Sequence, residues 1–584
     1  MSNYQQILAC FREIYESELS EAYVHRLNKI LNGFKPLQND LPSLELTERD
    51  SILITYGDAI QSIKSTPLKT LGEFLRNEVG DAISTVHLLP FFPYSSDDGF
   101  SVIDFYQVDP EIGSWEDVID LGETYDLMFD AVINHISVRS EWFERFLRDE
   151  QSYQDFFITV DEGVDLSKVF RPRALPLLTE FQTADGSKKV WTTFSIDQVD
   201  LNYHHPEVLL EITRILLMFV ERGARFIRLD AIAYIWKELG TNCLHHQKVH
   251  RIIQFFRLIF EELAPYVQVI TETNVPHEEN ISYFGDGTNE AQLVYNFSLP
   301  PLVLHAFHQQ NALILSQWAK TLVLPSKQTS FFNFLASHDG IGVTPAKGLI
   351  PEEEIEQLCE RVKRLGGFVS YKGNPDGTRS PYELNINYLD ALGDPAKEDE
   401  PIPLVSDRFL ASQSIMLALK GVPGIYYHSL LGSRSWNEGV RQTGRKRTIN
   451  REKLDIDSLL EALHEKGSLR QLVFNGLMSM LRSRAFNAEG AFSPYGEQSI
   501  LDVNDKLMAI LRSAPNQTSR VLYLCNVSAE NIELIPQDQP LGDLNWQNQK
   551  VIYARNASLL SGRAQEKVLI GPYGILWILF RRGN

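Results

Sequence analysis

The stretches Phe226-Ile227-Arg228-Leu229-Asp230, Val269-Ile270-Thr271-Glu272 and Phe334-Leu335-Ala336-Ser337-His338-Asp339 share one pattern, a short apolar run that ends in a carboxylate. Apolar runs of this length read as strands buried on both faces, as in a parallel sheet. A charge placed where such a strand ends stands on the rim of a barrel or sheet, where α/β enzymes keep their chemistry. Any one of these acids can also serve as a helix cap. Three of them on one rim, with Arg228 and His338 alongside, are what cleavage of a glycosidic bond requires.

Outward from these stretches the chain keeps alternating apolar runs with amphipathic ones. Val86-His87-Leu88-Leu89-Pro90 and the run 127–134 read as strands. The segment 206–221 reads as a helix stopped by Gly223, and 247–263 carries Val249, Ile252, Ile253, Phe256, Ile259 and Leu263 on one stripe. Strand, helix, strand repeated over more than 400 residues predicts an α/β fold, a (β/α)8 TIM barrel with inserted loops, over 51–485. Insertions are expected at about 138–205 and 343–395; the second holds the turn formers Asn374-Pro375-Asp376-Gly377. Residues 1–50 are expected to form a helical extension packed beneath the barrel, with Ile7, Leu8, Phe11, Ile14 and Tyr15 at helical spacing. Residues 486–584 are expected to form an antiparallel β domain.

Composition narrows the function classes. With 584 residues, 43% hydrophobic and 11% aromatic, the chain can bury several structural units. A formal net charge of −21 argues against nucleic acid, whose phosphates need a basic surface. Four scattered cysteines form no Cys-x-x-Cys pair and no zinc spacing, so buried free thiols in a reducing compartment are expected, and no metal. The first residues show no basic region followed by an apolar stretch, and the longest apolar run, at 575–580, is too short to span a bilayer. The expectation is a cytoplasmic protein without membrane partners, as a monomer or homodimer.

Asp130-Ala131-Val132-Ile133-Asn134-His135, Arg228-Leu229-Asp230, Glu272 and His338-Asp339 resemble, in order and spacing, the four strand-end regions of glycoside hydrolase family 13, the α-amylase superfamily. The likeness narrows to its sucrose phosphorylase branch through Leu53-Ile54-Thr55-Tyr56, the stretch from His87 to Phe100, Ser337-His338-Asp339-Gly340-Ile341-Gly342, Leu299-Pro300-Pro301-Leu302 and Ile449-Asn450-Arg451. The stretches 271–284 and 374–385 are most similar to the group in that branch that cleaves glucosylglycerate.

The resemblance implies a role for each matched residue. Asp230 becomes the nucleophile, Glu272 the general acid and then base, and Asp339 the group that holds the sugar hydroxyls and distorts the ring. Arg228, two residues before Asp230 on the same face of a strand, is expected to keep that carboxylate ionised, while Glu272 stays protonated. Asp58, His87, His135, His338 and Arg447 match the donor glucose subsite, and Phe157 is the expected aromatic platform under the ring. Asn134 and Asp130 support His135 in this reading. No cofactor is implied.

For the acceptor, the resemblance aligns Ser380 with a position that is acidic in sucrose phosphorylase, with Arg379 just before it. A guanidinium there suits phosphate or the carboxylate of glycerate; the alternative is that Arg379 pairs with Asp376 or Glu383 at the surface. Tyr382 and Glu383 complete that wall, with Lys237 and His277 also on the acceptor side. The implied activity is a retaining glucoside phosphorylase. It carries glucose from a small α-glucoside, 2-O-α-glucosylglycerate first, to inorganic phosphate and yields α-D-glucose 1-phosphate. Glucosylglycerol, sucrose, sucrose 6'-phosphate and simple hydrolysis are the alternatives.

Overall fold

The structure, a computed structural model, describes residues 3–16, 19–36, 45–173, 175–374, 378–397, 399–536, 539, 541, 544–561 and 566–582. Pro375, Asp376 and Gly377 of the turn-forming run lie outside the described residues.

Eight strands close into a barrel. They are β1 (Ile52–Thr55), β2 (Thr85–Leu88), β3 (Asp126–Ala131), β4 (Ala224–Leu229), β5 (Gln268–Thr271), β6 (Leu293–Tyr295), β7 (Ser330–Phe334) and β8 (Val422–Tyr426). Each pairs in parallel with the next, and β1 pairs with β8. Every residue of β4, β5 and β7 is buried, because one face fills the barrel and the other lies under helices. Asp230 and Glu272 directly follow β4 and β5. The third run differs from its sequence reading. β7 ends at Phe334, so Leu335 to Asp339 form the loop beyond it.

Register decides which of these side chains meet. Asp130 of β3 is the Cα partner of Arg228 in β4, and Arg228 is the partner of Ile270 in β5. Directly opposed residues project to the same face, so the Arg228 guanidinium and the Asp130 carboxylate share the barrel interior.

The N-terminal extension packs on the outer helical ring, not beneath the strands. α1 (Asn3–Tyr15) lies on α4 (Gln247–Leu263), with the Phe11 and Phe255 rings stacked at 5.5 Å. α2 (Glu21–Gly33) lies on α3 (Pro206–Glu221), where Arg26 pairs with Glu207. Both barrel helices present apolar rows that the extension covers, which places its burial where the ring is otherwise open to water.

Both insertions fold back over the carboxyl ends of the strands. In the first, Leu178–Thr183 and Gly186–Trp191 form a hairpin, and Gln198–Asp200 pairs with His135–Ser137 just after β3. In the second, Phe368–Gly373 and Arg379–Asn385 form a hairpin whose second strand also pairs with Ile341–Gly342. That pairing sets Glu383 opposite Gly342 and carries the hairpin to the Asp339 loop.

After the helix Leu469–Asn487, β9 (Glu497–Ile500), β10 (Leu507–Ser513), β11 (Ser519–Asn526), β12 (Ile532–Leu534), β13 (Gln549–Ser561) and β14 (Glu566–Arg581) form one antiparallel sheet. One face packs on the barrel, where the Tyr523 hydroxyl meets Ser414 at 2.8 Å. The other face gathers Leu522, Leu524, Leu576 and Ile578 into its own apolar cluster. Among the described residues no helix is long and apolar enough to cross a membrane.

Candidate active site

Arg228 is the hub. Its side chain is 2% exposed, and its guanidinium pairs with Asp130, with Asp230 Oδ1 at 2.7 Å and with Glu272 Oε1 at 3.7 Å. The Tyr295 ring lies 5.3 Å from it and the Phe100 ring 5.8 Å, which shields the ion pairs from water. His87 Nε2 meets the other oxygen of Asp130 at 2.7 Å. Directly after Asp230, Ala231 takes a left-handed backbone (φ 48°) and its N–H donates to Glu272 Oε2 at 3.2 Å. A positive φ on a non-glycine residue is strained, and here it turns the backbone N–H toward the second carboxylate.

Asp339 stands on the other wall. Arg447 pairs with it and, at 2.9 Å, with Glu383 Oε1, while His338 Nε2 is 3.5 Å away. Gly340 explains the close approach of the hairpin. Its N–H donates to Glu383 Oε1 at 3.0 Å, and a Cβ there would stand 2.5 Å from Glu383 Cγ.

These groups line a cavity open to solvent, about 620 Å³ with its mouth included, whose wall is formed by Asp230, Glu272, Asp339, His135, His338 and Arg447 together with other residues described below. Burial pushes the carboxyls of Asp230 and Glu272 above the ordinary range; Arg228 opposes this, and neighbouring acids add to it. Burial acts the same way on Asp339, but Arg447, His338 and Arg451 outweigh it and hold that carboxyl below the usual range. Burial drives His338 down to about 3 and His135 below its ordinary value, so both rings face the cavity neutral. The sequence reading had Arg228 holding Asp230 ionised. In the structure Arg228 is shared with Asp130 and Glu272, so its pull on Asp230 alone is diluted.

A family model for the α-amylase catalytic domain matches residues 79–346. The glucosylglycerate phosphorylase of Spirochaeta thermophila is 49% identical over 583 residues, 97% of each chain. That of Escherichia coli K12 is 47% identical over 510 residues, 87% of this chain and 90% of the relative. The chain belongs to the α-amylase family, in its sucrose phosphorylase branch. Among solved structures, the sucrose 6F-phosphate phosphorylase of Thermoanaerobacter thermosaccharolyticum superposes with a TM-score of 0.71 at 26% identity, covering 83% of this chain and 95% of that one.

In this member of the α-amylase family the expected site residues divide. Asp230, Glu272, Asp339, His135, His338, Arg447 and Tyr382 line one cavity. Arg228, His87 and Glu383 stand directly behind it, each through an ion pair or hydrogen bond to a cavity group or its partner. Asn134 donates towards His135 Nδ1 (3.2 Å), whereas Asp130 meets Arg228 and His87 and not His135.

Several expectations fail on position. Phe157 is 2% exposed and wedged between Phe143 and Phe146, with ring centroids 5.0 and 5.3 Å away, so it is core and no platform. Asp58 pairs with Lys453 at 2.5 Å and lies off the cavity. Lys237 is buried against Asp200 (2.5 Å) and Asn134 (2.7 Å), locking the first insertion to the barrel. His277 starts the short helix His277–Ile281, with its ring 6.1 Å from Phe331. Arg379 is exposed where its strand begins, opposite Gly373, the last residue of the first hairpin strand, and Ser380 donates to Asn374 Oδ1 at 3.1 Å. Glu383 is held by Arg447 and is no partner for Arg379; Asp376 lies outside the described residues.

The structure adds cavity residues to which the sequence reading gave no role, some of them inside the quoted motifs. Phe100 stacks flat on His338, centroids 4.5 Å apart at 10°, and Phe194 and Tyr234 supply the remaining aromatic wall. Asn274, two residues past Glu272, has a buried Oδ1 without a hydrogen-bond partner among the described residues. Arg173, carried in by the first insertion, lies 3.9 Å from Asp97 and faces Phe194 at 6.0 Å. The sequence did carry a signal for it, since Arg171-Pro172-Arg173 is a basic run inside an insertion rich in Phe, Arg and Pro. Among the described residues no group of three or more His, Cys, Asp or Glu is placed to hold a metal.

Proposed function

We propose that this chain is a retaining phosphorylase that moves the glucosyl group of a small α-glucoside, 2-O-α-glucosylglycerate first, to inorganic phosphate. One observation supports the chemistry above all others: two carboxyls, both raised by burial, share one guanidinium unequally. Two buried acids facing each other hold one proton between them, and they titrate as a pair. Burial raises Asp230 the further of the two, so it is the geometry, 2.7 Å from Arg228 to Asp230 against 3.7 Å to Glu272, that assigns the anion to Asp230 and the proton to Glu272.

That division is the starting state of a double displacement. Asp230 attacks the anomeric carbon as the bond to the glycerate oxygen breaks, and Glu272 gives its proton to that oxygen. Glycerate leaves and phosphate enters. An oxygen of phosphate bonds to the anomeric carbon, its proton passes to Glu272, and the Asp230 carboxylate is released. Two inversions leave the product as α-D-glucose 1-phosphate. Asp339, ionised beside Arg447, accepts hydrogen bonds from the ring hydroxyls, and neutral His135 and His338 add directional contacts. Phe100, Phe194 and Tyr234 replace Phe157 as the apolar surface against the ring.

Phosphate must outcompete water. Arg173 supports this, because it brings a guanidinium to the cavity wall where Tyr382 also stands, and both leaving glycerate and entering phosphate are anions. The names of the relatives at 47–49% identity favour glycerate as the acceptor over glycerol, fructose or fructose 6-phosphate. The test is product analysis with phosphate and a panel of glucosylglycerate, glucosylglycerol and sucrose. Glucose 1-phosphate release fastest from glucosylglycerate is expected; free glucose as the sole product overturns the reading.

A further inference from the structure

The catalytic cavity opens into a second, larger chamber of about 1080 Å³, with Asp97, Arg173, Gln198, Tyr382 and Arg447 shared between the two walls. Its far side is built by Ser370, Asn385, Arg445 and Lys446. A glycerate has three carbons, and the groove beyond the shared wall offers room for a longer acceptor.

The far wall carries two kinds of recognition that the glycerate reaction leaves unused. Arg445 is exposed, and its guanidinium has no carboxylate partner among the described residues. Every other arginine around the chamber faces an acid: Arg447 meets Asp339 and Glu383, Arg451 meets Asp97 and Asp98, and Arg173 meets Asp97. Lys446 adds positive charge beside Arg445 while donating to the Val369 carbonyl at 2.8 Å. The same wall holds Asn385, 1% exposed, whose Nδ2 donates to Ser370 Oγ at 3.0 Å. Its Oδ1 has no partner among the described residues. A buried carbonyl oxygen in want of a donor suits a ligand hydroxyl, and an unpaired guanidinium suits a terminal anion.

We propose that the outer chamber is an extended acceptor subsite for polyhydroxylated chains of about hexose length that end in an anion, with Arg445 as its anion contact and Asn385 as its hydroxyl contact. The inference rests on the glucosyl-transfer reading above and adds an acceptor class to it. In the synthetic direction glucose 1-phosphate loses phosphate as Asp230 bonds to the anomeric carbon and Glu272 protonates the leaving oxygen. A hydroxyl of the long acceptor then bonds to that carbon, its proton goes to Glu272, and Asp230 leaves as the carboxylate. Carboxylate and phosphate termini share this chemistry, and the acceptor panel separates them.

The test measures phosphate release from glucose 1-phosphate with glycerate, gluconate, fructose 6-phosphate and neutral sorbitol as acceptors. One or both six-carbon anions are expected to exceed sorbitol by about tenfold in kcat/KM, the worth of one charge-assisted hydrogen bond. Arg445→Glu is expected to erase that advantage while glycerate and sorbitol stay within about twofold of wild type. Equal rates for the anions and sorbitol, or an advantage that survives Arg445→Glu, overturn the proposal even when glycerate reacts well. Activity with the long anions but none with glycerate keeps this subsite and removes glycerate as the preferred acceptor.

Discussion

The inner cavity and the outer chamber are joined, yet they are built on opposite principles. In the cavity the charges are buried and cross-linked: Arg228 serves three acids, and Arg447 serves two. In the chamber the charged part of the far wall, Arg445 and Lys446, is exposed, and Arg445 is left without an acid among the described residues. Dense pairing fixes geometry and costs about several kcal/mol if one member is lost, whereas exposed charges tune affinity by about 1 kcal/mol or less. On the proposed reading, reaction type resides in the cavity and substrate choice in the insertions, and perturbations of the two regions are expected to differ in kind as well as size.

The largest effect is expected at Asp230, the proposed nucleophile. Asp230→Asn is expected to lower glucose 1-phosphate release by a factor on the order of 10⁴ or more, as loss of a covalent nucleophile does. The same variant is expected to melt at a higher temperature at pH 7. A carboxyl raised in the folded state destabilises the fold once the pH exceeds its folded value, and the amide removes that cost. The gain should shrink as the pH falls from the folded value towards the unfolded-state value near about 4 and vanish below it, where native and unfolded chains are both protonated. A thermal melt of Asp230→Asn that is lower than wild type at pH 7 contradicts this account of the buried pair. Activity follows the same groups. The acid limb of kcat/KM should lie above the ordinary carboxylate range, because falling pH removes the Asp230 anion early; a limb near pH 4 sinks the assignment.

Arg228→Met comes next, and its damage is to the fold as well as the reaction. Asp130, with a side chain 0% exposed, would keep only His87 as a partner. Breaking such a pair from one side costs about 3–5 kcal/mol, readable as a shift of the urea midpoint at unchanged slope. A variant as stable as wild type shows that the hub is not structural.

What could be read from the sequence follows the same division. Asp230 and Glu272 were legible because they come directly after buried strands, and strand direction plus parallel register dictates where such residues go. Asp339 was legible through its motif and not through its strand, which stops five residues earlier. Phe157 and Lys237 misled for a tertiary reason. Both sit near the motifs in sequence, but one is claimed by an aromatic cluster and the other by Asp200, choices made by distant segments. Arg173 comes to the cavity wall on an irregular stretch ahead of the Leu178–Trp191 hairpin, and Asn385 on a hairpin strand docked through the pairing of Gly342 with Glu383, placements which no local pattern reveals.

Arg173 tests the boundary between the regions. Arg173→Ala is expected to raise KM for phosphate by about 10- to 100-fold, the loss of one or two charge-assisted hydrogen bonds, with a smaller change in kcat. Because water needs no guanidinium, the share of free glucose among the products should rise. A variant with unchanged phosphate KM and product ratio removes Arg173 from the anion path.

Arg379 is the control that sharpens the comparison. Sequence position made it the acceptor-side cation, yet it is exposed at the start of its strand, paired across the hairpin with Gly373, and outside both cavity walls. A long exposed side chain with no partner in the site contributes about 0.5 kcal/mol or less to anything nearby. Arg379→Ala should therefore leave kcat and the KM values for phosphate and glycerate within about twofold of wild type. If glycerate KM rises about tenfold instead, the hairpin folds over the chamber during turnover and its cation joins the acceptor wall, which moves the line between the two regions outward by one strand.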